Sequence, residues 1–189
     1  MSGLSILWQQ AKARARRQLG TVAEDERGFT AVEFGMVALP FLMLLFGIMA
    51  VGLFYFTTFS LENAVEEAAR LIRTGQAQES GMTAEQFKKE VCDRAPPFVD
   101  CAGKMRVNVQ NFNGFGTILA PSCIDTGGDL VKSEDTNFAT GGSGDVVLVT
   151  VCYEWELAGK MPFMHLGTMG NGSALIQAAT TFRTEPYAD

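Results

Sequence analysis

Residues 34–61 run for 28 positions without a charge. As an α-helix rising 1.5 Å per residue, such a run reaches roughly 42 Å, beyond the roughly 30 Å hydrocarbon core of a bilayer. The run therefore predicts one membrane-spanning helix whose far end continues into whatever folds after it. A cleaved secretory signal has an apolar region of about 7–15 residues that closes on small side chains. This run is longer, and its end, Phe54-Tyr55-Phe56-Thr57-Thr58-Phe59, is aromatic, so the segment is expected to stay attached.

Charge gives the expected orientation. Residues 1–28 hold Lys12, Arg14, Arg16, Arg17 and Arg27 against Glu24, Asp25 and Glu26, a net of +2, which leaves −8 of the total −6 for the rest of the chain. Bases on the N-terminal flank and Glu62, Glu66 and Glu67 on the other place the N-terminus in the cytoplasm under the positive-inside bias. The acidic body argues against nucleic acid, since phosphate binding needs clustered Lys and Arg. The expected organisation is a basic cytoplasmic leader at 1–28, a transmembrane helix at 29–61 and a periplasmic domain at 62–189, in a single-pass inner-membrane protein. The Gln-, Ala- and Arg-rich stretch at 1–20 reads as a weak basic amphipathic helix on the inner membrane face, or as nothing stable.

Cysteine placement points the same way. Cys92, Cys101, Cys123 and Cys152 all follow the apolar run, and an even number outside the cytoplasm reads as two disulfides. Three pairings are open. Cys92–Cys101, closing a short loop through Pro96-Pro97, together with Cys123–Cys152, tying a loop to a strand, is the favoured one. Zinc needs CxxC-like spacing, which is absent; no metal and no cofactor is expected.

Beyond the membrane, Leu61, Ala64, Val65, Ala68, Leu71 and Ile72 share one helical face, with Glu66–Arg70 as an i,i+4 pair on the other. Gly75 is a natural stop. A second helix opens at Thr83 with Gln86 completing a capping box, runs to about Asp93, and ends before Pro96-Pro97. The period then changes to two: strands are predicted at 105–110, 146–155 and 174–183. The Gly-, Ser-, Thr- and Asp-rich stretch at 114–144 reads as loop with one short strand near 117–119. Pro40, unable to donate a backbone hydrogen bond, predicts a kink in the apolar helix. The fold class is α+β: a long N-terminal transmembrane helix extending into a small antiparallel sheet.

The stretch that carries chemistry is Arg27-Gly28-Phe29-Thr30-Ala31-Val32-Glu33-Phe34, directly before and into the apolar run. A glutamate one turn inside a membrane helix costs about 2.5–3.5 kcal/mol on insertion scales, so a partner is expected. A cut after Gly28 would free an amino group on Phe29, four residues before Glu33 and on the same side of the helix. An extended, sterically open glycine before the cut suits a protease cleft. The bland reading is an ordinary signal anchor that happens to begin with glycine and an acid.

These residues resemble the type IV pilin signature, in which glycine is followed by an aromatic residue and by glutamate at the fifth mature position. Glu33-Phe34 is similar to the Tad/Flp branch, where the glutamate is commonly followed by tyrosine; Phe34 lacks that hydroxyl. The wider resemblance is to the TadE-like pseudopilins. It takes in Leu39-Pro40, then Ala69-Arg70-Leu71-Ile72-Arg73-Thr74-Gly75-Gln76, and finally Phe182-Arg183-Thr184-Glu185-Pro186-Tyr187. The resemblance implies a pilin-like fold and a non-enzymatic role as a minor pilin or pseudopilin of a Tad-type pilus. It implies Gly28 and Phe29 as the prepilin peptidase site, Glu33 with Phe34 as the assembly residues, and other pilins, the assembly platform and membrane lipid as partners. The alternative is an uncleaved, membrane-anchored periplasmic binding module.

Weaker signals have plainer readings. Asp125-Thr126-Gly127 is the aspartic-protease triplet, but that chemistry needs a second aspartate sharing a proton, so a turn is expected. Asp125, Asp129, Glu134, Asp135 and Asp145 lack EF-hand spacing and read as solvated acids, with calcium as the rival. His165, the single histidine, reads as a turn residue, and the Met-rich segment around it (161–166) as a buried loop or a subunit contact. Gly141-Gly142-Ser143-Gly144 lacks the Lys that follows in a phosphate loop.

Overall fold

The computed structural model describes residues 26–160 and 166–187. The reading of 1–20 as an amphipathic helix, the role of His165 and most of the Met-rich segment lie outside them. The chain divides into two units, Met1–Met49 and Ala50–Asp189, and each is described in its own right.

In the first unit the backbone is helical from Glu26 onward, the start of α1 (Glu26–Arg73). Among the described residues nothing covers this part of α1: Phe34 and Met36 are more than 70% exposed, and Phe41, Leu44, Phe46 and Ile48 are more than half exposed. An apolar helix with no apolar partner is not a core element. Its length and composition make it a candidate membrane span, and α1 fits a single-pass membrane protein. The helix runs on through Pro40, where the ring leaves the carbonyl of Met36 without its i+4 donor.

In the second unit α1 turns amphipathic. Leu61, Ala64, Val65, Ala68, Ala69 and Ile72 are buried, while Glu62, Glu66, Glu67 and Arg70 are exposed. Leu71, expected on the inner face, is half-buried, and Ala69 takes the place instead. The expected Glu66–Arg70 pair is not made; Glu67 meets Arg94 of the next long helix at 3.7 Å. Tertiary packing supplies a partner that the helix alone does not. The helix ends as the Thr74 N–H donates to the Arg70 carbonyl (3.0 Å) and the Gly75 N–H to that of Ile72 (3.2 Å). Gly75 then takes the left-handed φ of 84°, which a side chain resists.

A single turn, α2 (Gln76–Glu79), leads to α3 (Ala84–Arg94). Both halves of the expected capping box form: the Gln86 N–H donates to Thr83 Oγ1 at 3.3 Å, and the Thr83 N–H to Gln86 Oε1 at 2.8 Å. Phe87 and Val91 of α3 are fully buried. After Pro96-Pro97 comes α4 (Cys101–Lys104), capped by Asp100, whose Oδ1 accepts from the Ala102 N–H.

Three antiparallel strands follow in the order β1 (Met105–Phe112), β2 (Val146–Trp155) and β3 (Ala174–Arg183), with α5 (Leu157–Lys160) between the last two. Register sets Val107 opposite Val151 and Val151 opposite Ala178, with Val109, Val149, Tyr153 and Ile176 on the same face. That face, with Leu61 to Ile72 of α1 and Phe87 and Val91 of α3, makes the core. The central strand β2 is buried on its other face too, through Val146, Leu148, Thr150 and Cys152. Burial on both faces is why it reads as a continuous apolar run.

The segment between β1 and β2 covers that second face. Cys123–Cys152 fastens it to β2, and Arg106 Nε donates to the Val131 carbonyl at 2.9 Å. Residues 137–139 pair with the open edge of β1, the Val109 N–H donating to Asn137 (2.8 Å) and the Ala139 N–H to Val109 (2.9 Å). The short strand expected near 117–119 is instead a 3₁₀ turn at Phe115–Thr117. The edge of β1 is taken by residues 137–139, through the Val109–Phe138 bridge.

Candidate processing and assembly site

Gly28 lies in the first turn of α1, two residues after its start at Glu26, so the helix begins three residues before the expected start at residue 29. The physical reason is that nothing after Arg27 stops a helix there, and an acid in the first turn favours the positive end of the dipole. First-turn N–H groups have no acceptor inside a helix, and glycine favours the helix by about 1 kcal/mol less than alanine. Opening this turn is therefore cheap. Phe29 is 66% exposed and Glu33 is exposed.

Four residues of helix place Glu33 about 6 Å above Phe29 on the same face. Side chains on a helix lean toward its N-terminus, so the Glu33 carboxylate leans toward the nitrogen of Phe29. Without the first 28 residues that nitrogen would be an ammonium at the positive end of a new helix, beside a carboxylate in an apolar surface. Phe34, next along, projects at 74% exposure.

The other blocks on which the resemblance rests meet in space within the second unit. The Glu185 N–H donates to the Arg73 carbonyl at 2.8 Å, and their side chains pair at 3.6 Å. A Cβ on Gly75 would lie 2.6 Å from the Tyr187 ring. Thr184, buried, donates from its N–H to the Asp145 carbonyl (2.9 Å) and from Oγ1 to that of Gly142 (2.6 Å). The chain after β3 thus straps the end of α1. Sequence reasoning had both blocks but not their contact; the available signal was a glycine stop in one and a tyrosine beyond the last strand in the other.

The structure pairs Cys92 with Cys101 and Cys123 with Cys152, at Cα separations of 6.0 and 5.6 Å. Asp125 is a turn residue: its Oδ1 accepts the N–H groups of Gly127 (2.8 Å) and Asp129 (3.0 Å). Asp145 Oδ2 likewise accepts from the Gly142 N–H at 2.8 Å, which shapes the 141–144 turn. With carboxylates serving their own loops, the acidic segment does not converge. Among the described residues no three His, Cys, Asp or Glu side chains gather as a cation site. The acid with the clearest perturbation is Glu156, held below the usual carboxylate range by hydrogen bonds from Lys104 and then Lys160.

Residues 28–70 match the family model of the TadE-like proteins. Over that stretch the chain is similar to the TadE-like proteins. The matched segment starts at Gly28, contains Glu33 and the whole apolar run, and ends in the amphipathic part of α1; the sheet lies outside it. No curated protein and no solved structure matches the chain. The family suggests a protein associated with a Tad pilus.

Proposed function

We propose that this chain is a minor pilin, or pseudopilin, of a Tad-type pilus. It is inserted with its N-terminus in the cytoplasm and its sheet domain in the periplasm, and cut between Gly28 and Phe29 by a prepilin peptidase. It is recruited through α1 into or beneath the fibre. The leader, the span and the domain divide near residues 28 and 61. The protein is a substrate of an enzyme and performs no catalysis itself.

The observation that carries this reading is Glu33, an acid on an otherwise apolar and uncovered helix surface, one turn beyond the residue that a cut after Gly28 would leave first. Burying that carboxylate at the edge of the lipid core is unfavourable, by less than the roughly 2.5–3.5 kcal/mol that a charge costs at mid-bilayer. A Phe29 ammonium, on the same subunit or a neighbour, offsets this when helices pack side by side. The pairing therefore favours docking over staying dispersed. Phe34 and the apolar residues after it supply the contact area, and the disulfide-stapled domain sets register between subunits.

Glu33→Ala tests this. Membrane insertion is expected to be unchanged or improved, while pilus assembly, scored by electron microscopy and by sheared-fibre yield, falls. Normal piliation by this variant would remove the role assigned to the carboxylate.

A further inference from the structure

The second unit has a polarity, set by how its own part of α1 runs along the sheet. Phe54 of α1 meets Trp155, the last residue of β2, with ring centroids 5.4 Å apart. Arg73 meets Glu185, just past β3. Nineteen residues of helix span about 28 Å and ten of strand about 33 Å, so α1 runs beside β3 in the same direction. The end of the sheet where β1 begins and β2 finishes is therefore the end beside Phe54, where the second unit's part of α1 starts.

That end exposes apolar side chains, of which Phe98 and Leu157 have no part in the proposed function. Tyr55, Phe56 and Phe59 project from α1 at 54%, 56% and 59% exposure, and Phe98 and Leu157 project from the domain at 52% and 47%. Phe98 lies beside Phe56, centroids 6.1 Å apart. It is held there by construction. Pro96-Pro97 precede it, Cys92–Cys101 closes its loop, the Val99 N–H donates to the Pro96 carbonyl at 2.9 Å, and the Asp100 N–H donates to Tyr153 Oη at 3.3 Å. Val99 is buried, so the turn anchors one apolar residue inward and presents its neighbour outward. Lys104 and Lys160, both paired with Glu156, stand at the same end.

Twenty residues of helix from Phe34 reach Leu53, about the thickness of a bilayer core. The residues that follow fall at the headgroup boundary, where aromatic rings accumulate and lysine stems reach toward phosphates. We propose that the Phe98 turn and Leu157, with Tyr55, Phe56 and Phe59, form a membrane-seating edge. It sits in the headgroup and acyl boundary of the leaflet from which α1 emerges. The occupant is lipid, because the patch continues directly into the uncharged run and combines rings with flanking lysines. The inference rests on α1 spanning a bilayer and not on pilus assembly.

The test uses the full chain, alone, in phosphatidylcholine vesicles whose acyl chains are brominated either near the headgroup or deep. Phe98→Trp, Leu119→Trp and Phe41→Trp are made singly in the otherwise native chain, and lipid quenching is read as the increment over wild type. Leu119 is 77% exposed on the loop between β1 and β2 and serves as the aqueous reference. The expected result is shallow-bromine quenching at Phe98→Trp several-fold above that at Leu119→Trp, and deep-bromine quenching at Phe41→Trp. Quenching at Phe98→Trp no greater than at Leu119→Trp, with Phe41→Trp quenched, overturns the seating edge and leaves the span standing. No quenching at Phe41→Trp overturns both.

Discussion

Replacing Gly75 by alanine perturbs the junction between the end of α1 and the C-terminal strap in two separable ways. The first is backbone strain. Gly75 holds φ at 84°, and a Cβ in left-handed backbone costs about 1–2 kcal/mol. The second is displacement of Tyr187, whose ring atoms would lie 2.6, 2.7 and 3.1 Å from the new Cβ. That ring is half-buried, and losing its packing costs about 1 kcal/mol, roughly half the value of a fully buried large side chain. The expected cost of Gly75→Ala is thus about 2–3 kcal/mol. In a Tyr187→Ala background only the strain remains, so the two changes should couple by about 1 kcal/mol. Urea unfolding in mild detergent, followed by the emission of buried Trp155, measures each variant, with an unchanged m-value as the check on cooperativity. Equal cost in both backgrounds would show that Tyr187 does not rest on Gly75. No cost in either would remove the junction altogether.

Two further outcomes follow. Gly28→Leu should block processing and leave a product about 3 kDa heavier than the mature wild type, at about 110 Da per leader residue; equal gel mobility of the two would count against this cut site. Removing Cys92–Cys101 by a double alanine substitution should cost about 2.6 kcal/mol, and removing Cys123–Cys152 about 3.6 kcal/mol, since loop closure grows with the logarithm of loop length. The separations are 9 and 29 residues, so a reversed order in unfolding midpoints would refute this loop-entropy account.

What could be read in the sequence was local. The uncharged run gave α1, Thr83 and Gln86 gave a capped helix start, and apolar patterning gave strands whose observed limits, Val146–Trp155 and Ala174–Arg183, match the expected ones. These elements declare themselves because each depends on neighbours within a few positions. The segment between β1 and β2 does not. Its order comes from Arg106 reaching Val131, from Val109 pairing with 137–139, and from a disulfide 29 residues long, none of which leaves a periodic trace. The same reason explains why Glu67 found Arg94 rather than its own helix, and why the meeting of Gly75 with Tyr187, 112 positions later, was invisible. At the processing site the residue types were legible. The helix start at Glu26 was not, because no capping box marks it and the apolar run begins only later.

The account stands on a free amine at Phe29 facing the carboxylate of Glu33. Intact-mass and N-terminal peptide analysis of the protein, purified from cells with an active prepilin peptidase, reads this directly. A first residue of Phe29 is predicted; a chain that still begins at Met1 under those conditions would contradict it.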